Sequence, residues 1–190
     1  LFLRAEGMIK EALSQSPRLM DFEGESFWGP VGGILRELGQ VDGAIYAYEK
    51  ALEITPSSSY PWGNLATLYL LKAKSSGDRS LQTKALNAFV NTYNAAQGEL
   101  KTNPNNYYLL MDIAQALSIL GRRDSTHFDT AQKTLLKALK LEVSRTSLET
   151  SLRGWQDLLD NCPADWPEVR SAIEQALTII HTAIEHSVGS

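Results

Sequence analysis

The chain has 190 residues, 43% hydrophobic and 21% charged, with a formal net charge of −4. That length can bury a substantial core, the composition excludes wholesale disorder, and the acidic balance argues against a nucleic-acid binder, which depends on clustered Lys and Arg. The lone cysteine, Cys162, excludes an intramolecular disulfide and a cysteine-built metal centre, and no apolar run reaches the roughly 18 residues of a membrane span.

The first predicted element is a helix in "AEGMIKEALSQSP" (5–17), where Ala5, Ile9, Ala12 and Leu13 fall on one stripe at steps of four and three. The opening "LFLRAEGMIKEAL" is too short and too charged for a signal peptide. Because the sequence starts with Leu, it is expected to be a piece of a longer polypeptide, and its single cysteine fits a reducing, cytoplasmic compartment.

The second element, "FWGPVGGILRELGQ" (27–40), places Gly29, Pro30, Gly32 and Gly33 at the start of a helix. In a helix interior Gly costs roughly 1 kcal/mol and Pro about 3 kcal/mol. The stretch is therefore either a loop that cradles a ligand or a helix whose face rewards small residues. Ser26 can cap it, which leaves Pro30 in the first turn, where a missing N–H costs little.

"AIYAYEKALEITP" (44–56) repeats the first pattern as Ala44, Tyr48, Ala51 and Leu52. Pro61 opens a helix carrying Trp62, Leu65, Ala66 and Tyr69. The next stripe is Leu81, Ala85, Phe89, Tyr93, Ala96 and Leu100. Pro104 precedes a further helix, and "AQKTLLKALKLEV" (131–143) supplies a third copy as Ala131, Leu135, Ala138 and Leu139. Thr146-x-x-Glu149 and Asp165-x-x-Glu168 have capping-box spacing and predict helices over about 147–161 and 166–187. The former turns Leu148, Leu152, Trp155 and Leu159 inward, the latter Val169, Ile173, Leu177, Ile180 and Ile184. Alternation of period two is absent.

Trp28-x2-Val31-Gly32-x2-Leu35, followed by Ala44-x3-Tyr48, Ala51 and Pro56, resembles the tetratricopeptide repeat, a helix–turn–helix unit of 34 residues. Trp62 follows Trp28 by 34 residues and keeps the spacing through Leu65, Ala66 and Tyr69. Later copies depart from it. Trp62 to Ala85, like Tyr108 to Ala131, is 23 residues where Trp28 to Ala44 is 16. A surplus of seven is close to two helical turns, so longer helices would keep the same face inward; longer loops at "AKSSGDRS" and "GRRDSTHF" are the alternative, and some of both is expected.

The resemblance implies an all-α fold, a right-handed α-solenoid of antiparallel helix pairs over 1–143 with the first repeat partial, and a C-terminal helical pair at 144–190 as cap. It places Gly32 at a close helix crossing. It implies a concave groove lined by the first helix of each repeat, with Ser26, Gly29, Gly33 and Arg36, then Tyr60, Gly63, Asn64 and Thr67, then Asn106, Leu109, Leu110 and Ile113. Gly29 and Gly33 would make a smooth, wide entrance. Members that clamp a C-terminal carboxylate use Lys, Asn and Arg, of which only Asn64 has a counterpart here. Leu109, Leu110 and Ile113 either line the groove or lie under the C-terminal helices.

Catalytic signatures are sparse. His181 and His186 stand about 140° apart around a helix, wrong for a shared metal. Cys162, in "DNCPADW", has no histidine near in sequence. Asp157 with Asp160, and Asp124 with Asp129, lack calcium-loop spacing, and no phosphate-loop pattern is present. The basic centre, with Lys133, Lys137 and Lys140 on one stripe, reads as a solvated outer face without the regular basic groove of an RNA reader. The expectation is a non-enzymatic module without cofactor, metal, nucleic acid or membrane span in this piece, binding a peptide or partner protein. A regulatory or ligand-sensing domain of a larger signalling protein is the alternative, and the oligomeric state stays open.

Overall fold

A computed structural model describes residues 2–22, 24–141 and 143–187, with the backbone alone at 2–6, 9 and 10. Among them are nine helices: α1 (Phe2–Gln15), α2 (Trp28–Glu37), α3 (Val41–Ile54), α4 (Ser59–Ser76), α5 (Arg79–Glu99), α6 (Tyr107–Leu120), α7 (Thr126–Ala138), α8 (Arg145–Asn161) and α9 (Pro167–His186). The extended pairing among the described residues is one isolated antiparallel bridge, Met20 with Ser26.

The helices pack as sequential pairs, α2 on α3, α4 on α5, α6 on α7 and α8 on α9, and consecutive pairs join through α3/α4 and α5/α6. The small-and-large stripe explains the pairing. Ala44, Tyr48 and Ala51 of α3, Ala85 and Phe89 of α5, and Ala131, Leu135 and Ala138 of α7 are all buried. Small residues let a neighbouring helix approach while the large ones fill the space beside it. In α1, Leu13 is buried, whereas the side chains of Ala5 and Ile9 lie outside the described residues.

Two tryptophans tie successive units together. The indole N–H of Trp28 donates to the Pro17 carbonyl at 3.0 Å, and that of Trp62 to the Pro56 carbonyl at 2.9 Å. Each bond joins the opening of a first helix to the chain that follows the preceding second helix. The proline five residues after the repeat's second alanine thus presents a carbonyl that the next tryptophan needs.

The seven-residue surpluses resolve in two ways. The first lies in the helices, because α4 runs to Ser76 and only Gly77 and Asp78 separate it from α5. Gly77 adopts φ 72°, a conformation that costs glycine nothing, and Asp78 caps α5 by accepting from the Ser80 N–H. The second is shared between a longer α6 and a loop over 121–125.

Neither capping box operates as the spacing predicts. Ser144, not Thr146, caps α8 by accepting from the Ser147 N–H, and Glu149 pairs with Arg145 instead. α9 begins on Pro167 without a side-chain cap from Asp165. The inward stripe of α9 is as expected, with Val169, Ile173, Leu177, Ile180 and Ile184 buried.

The last pair is attached differently from the others. α8 packs on α4, and α9 packs on α6 and α7, so the C-terminal helices fold back against the middle of the array. Trp155 and Trp166 anchor them in the largest core cluster, which spans α4 to α9. A second cluster holds α1 to α4 around Leu13, Leu35, Tyr48 and Leu65. α6 lies between neighbours on several sides, and from Leu109 to Leu120 it is buried except at Asp112 and Gln115.

Candidate functional site

α2, α4, α6 and α8 surround a cleft of about 640 Å³. Its wall at α2 resolves the choice posed by the glycine-rich stretch, which is a helix and not a loop. A methyl group on Gly29 would lie 3.3 Å from the Tyr60 ring, and one on Gly33 3.2 Å from the Tyr60 hydroxyl. Tyr60 therefore lies across these two glycines, and the smooth entrance expected there is covered by its ring. A methyl on Gly32 would sit 2.8 Å from the ring of buried Tyr48, so Gly32 admits the partner helix α3. Tyr48 and Tyr60 meet edge to face with centroids 5.9 Å apart. Burial pushes the Tyr48 phenol well above its ordinary range, keeping it neutral.

Arg36 crosses the cleft. One guanidinium nitrogen donates to Asn64 Oδ1 at 2.7 Å and the other to Asp157 Oδ2 at 2.6 Å, linking α2 to α4 and to α8. Asn64 in turn donates to the Tyr60 carbonyl at 2.9 Å. Thr67 donates to the Gly63 carbonyl of its own helix at 3.2 Å. α8 is further held by Tyr107 and Tyr108, whose hydroxyls donate to Ser151 and Ser147 at 3.0 Å each, and by Lys74, which donates to the Asp160 carbonyl at 2.7 Å.

Ser59 joins two carboxylates at the wall formed by α4, α5 and α6. Its N–H donates to Glu99 Oε1 at 2.7 Å and its hydroxyl to Asp112 Oδ2 at 3.3 Å. Burial raises the Asp112 carboxyl to about 7, opposed by the Ser59 hydroxyl and reinforced by the charge of Glu99.

The structure distributes the sequence-derived groove residues unevenly. Gly29, Arg36, Tyr60, Asn64, Thr67 and Asn106 line the cleft, with Gly33 beneath Tyr60. Asn106 is also the cap of α6, its side chain accepting from the N–H groups of Tyr108 and Leu109. Leu110 and Ile113 require correction, because they are 2% and 1% exposed and do not face the cleft. Leu110 belongs to the main core with the C-terminal helices, and Ile113 packs with Ala96 of α5 and Ala131 of α7.

The error is one of register. Aligning the caps Ser58 and Asn106 makes Leu110, not Tyr108, the counterpart of Trp62. Tyr60, Asn64 and Thr67 of α4 then correspond to Tyr108, Asp112 and Gln115 of α6, all of which line the cleft. Sequence reasoning also missed Ser59, Glu99 and Asp157. The cap alignment could have found Tyr108 and Asp112, but no local signal marks the three others.

No catalytic constellation forms around the remaining candidates. Cys162 is buried and its thiol is pushed up to about 12 by that burial, the reverse of an activated nucleophile. Among the described residues no group of three or more His, Cys, Asp or Glu could hold a metal ion, and no helix is long and apolar enough to cross a membrane.

Sequential helix pairs around a concave cleft define an all-α helical repeat protein. Residues 32–72 match the family model described as TPR repeat, the tetratricopeptide repeat. A TPR repeat-containing protein of Methanocaldococcus jannaschii is 27% identical over 134 residues, covering 70% of this chain and 21% of that protein. The chain thus spans about a fifth of the length of this curated relative. The crystal structure of a thermophilic TPR protein from Thermus thermophilus superposes with a TM-score of 0.51 at 19% identity, covering 93% of this chain and 91% of that one, a likeness of fold. Tetratricopeptide repeats are typically protein-interaction modules.

Proposed function

We propose that the cleft between α2, α4, α6 and α8 binds a peptide or a segment of a partner protein, without catalysis. In this reading residues 1–143 form the repeat array and 144–190 cap it. The observation that carries it is the pair Tyr60 and Tyr108, 48% and 53% exposed, at matching positions of α4 and α6 on the same cleft. Half-exposed tyrosines over a polar wall supply apolar area and a hydroxyl at low conformational cost, the combination enriched at protein interfaces. A cleft of about 640 Å³ is also within the range that holds a specific ligand.

The test is capture from a native lysate by immobilised protein, comparing the unchanged chain with Tyr60→Ala and Tyr108→Ala. A partner bound in the cleft is lost or strongly weakened in both variants, while the thermal midpoint moves little in Tyr60→Ala and falls modestly in Tyr108→Ala, which also loses the bond to Ser147. Capture that survives both substitutions places the partner surface elsewhere.

A further inference from the structure

The cleft holds one cation among its described lining residues, Arg36, and that charge is already met by Asp157 and by the Asn64 carbonyl. Glu99 and Asp112 come from different helices and converge on Ser59, which gives each a single hydrogen bond. No Lys or Arg forms a salt bridge with either carboxylate among the described residues. Both carboxylates are partly withdrawn from water, where an opposite charge beside them is favourable. The molecule's own side chains leave that compensation unmade on a wall that faces a cavity.

We infer that this wall is a specificity subsite, and that the bound polypeptide presents a Lys or Arg side chain to Glu99 and Asp112. The inference rests on the reading of the cleft as a peptide site and adds the chemistry of one residue of the ligand. An ammonium or guanidinium satisfies both carboxylates at once and makes charge-assisted hydrogen bonds to their unused oxygens. Tyr60, next to Ser59 in the chain, and Tyr108, one turn before Asp112, border the subsite and can cover the stem of a long basic side chain. An acidic peptide is disfavoured there by repulsion. The geometry also sets a pH dependence. Glu99 of α5 is the charged group acting on Asp112, Ser59 of α4 is its donor, and the raised Asp112 carboxyl is largely protonated below pH 7. A cationic ligand binds the ionised form, so affinity rises with pH through that value.

The experiment is an amide NMR titration of the whole chain with three blocked heptapeptides, Gly-Ser-Ala-X-Ala-Ser-Gly, in which X is Lys, norleucine or Glu. The Lys peptide is expected to shift the amides of Ser59, Glu99 and Asp112 saturably, at least about fivefold more tightly than norleucine, with affinity rising up to about tenfold from pH 6 to pH 8. Asp112→Asn and Glu99→Gln, which keep shape and remove charge, should each abolish the Lys preference while amide dispersion shows the fold retained. Equal binding of Lys and norleucine peptides at cleft amides, or an unchanged Lys preference in both variants, overturns the subsite and leaves the peptide cleft standing. Absence of any cleft shift with all three peptides overturns both.

Discussion

Gly29, Gly32 and Gly33 are small because two tyrosines need the room. Tyr48 is fully buried against Gly32, and Tyr60 lies half exposed over Gly29 and Gly33, so one helical face receives two rings of different freedom. The consequences of adding side chains differ accordingly. Gly32→Leu must displace a buried ring and is expected to cost about 1–3 kcal/mol. Gly33→Ala meets the Tyr60 hydroxyl at 3.2 Å, the end of a half-exposed side chain, and touches the Tyr48 hydroxyl at an ordinary 3.7 Å, while α2 already holds Gly33 in helical conformation. Reduced freedom of the unfolded chain then favours alanine by about 0.4–1 kcal/mol, and the full gain should emerge once Tyr60→Ala has removed the contact. Denaturant melts of Gly32→Leu, Gly33→Ala and the Gly33→Ala/Tyr60→Ala pair measure these effects. A neutral Gly32→Leu would mean that α3 does not approach α2 as closely as Tyr48 requires.

At the scale of elements, the sequence displayed its helices more faithfully than their starting points. Periodicity located the buried stripes of α3, α5, α7 and α9, because a helix must bury one face whatever begins it. It misplaced the face of α6. That helix is apolar nearly all round, so the spacing carried no information on which side meets the cleft, and Tyr108 stood as a false counterpart of Trp62. The cap settles the register. Asn106 accepts from two orphan N–H groups, and Asn106→Ala is expected to cost about 1 kcal/mol by thermal or denaturant melt, with Asn106→Asp restoring most of it. If Asn106→Ala is neutral in stability yet weakens partner capture, Asn106 acts on the ligand rather than as a cap.

For the molecule as a whole, the sequence made the all-α class and the repeat legible through three copies of one stripe and a 34-residue return of tryptophan. It did not show the fold-back of α8 onto α4, because nothing local to 144–161 names its neighbour. The polar links that hold α8 are single long-range contacts, Arg36 to Asp157, Tyr107 to Ser151, Tyr108 to Ser147 and Lys74 to the Asp160 carbonyl. The Arg36–Asp157 pair is partly exposed, where such bridges contribute about 0–1 kcal/mol. Much of the attachment of the C-terminal pair therefore rests on Trp155, Leu158 and Trp166 in the core.

The position of Cys162 makes the protein its own clock. The thiol sits buried where α8 turns toward α9, and Arg170 closes that turn by donating to the carbonyls of Leu159 and Cys162 at 3.1 and 2.9 Å. A thiol reagent can reach it only when the turn opens, so the rate of modification under native conditions counts openings of that corner. Arg170→Ala should quicken labelling several-fold while the global unfolding midpoint moves far less, as expected when local opening precedes complete unfolding. Should the labelling rate instead track global stability in every variant, the C-terminal pair and the repeats would open together as one cooperative body.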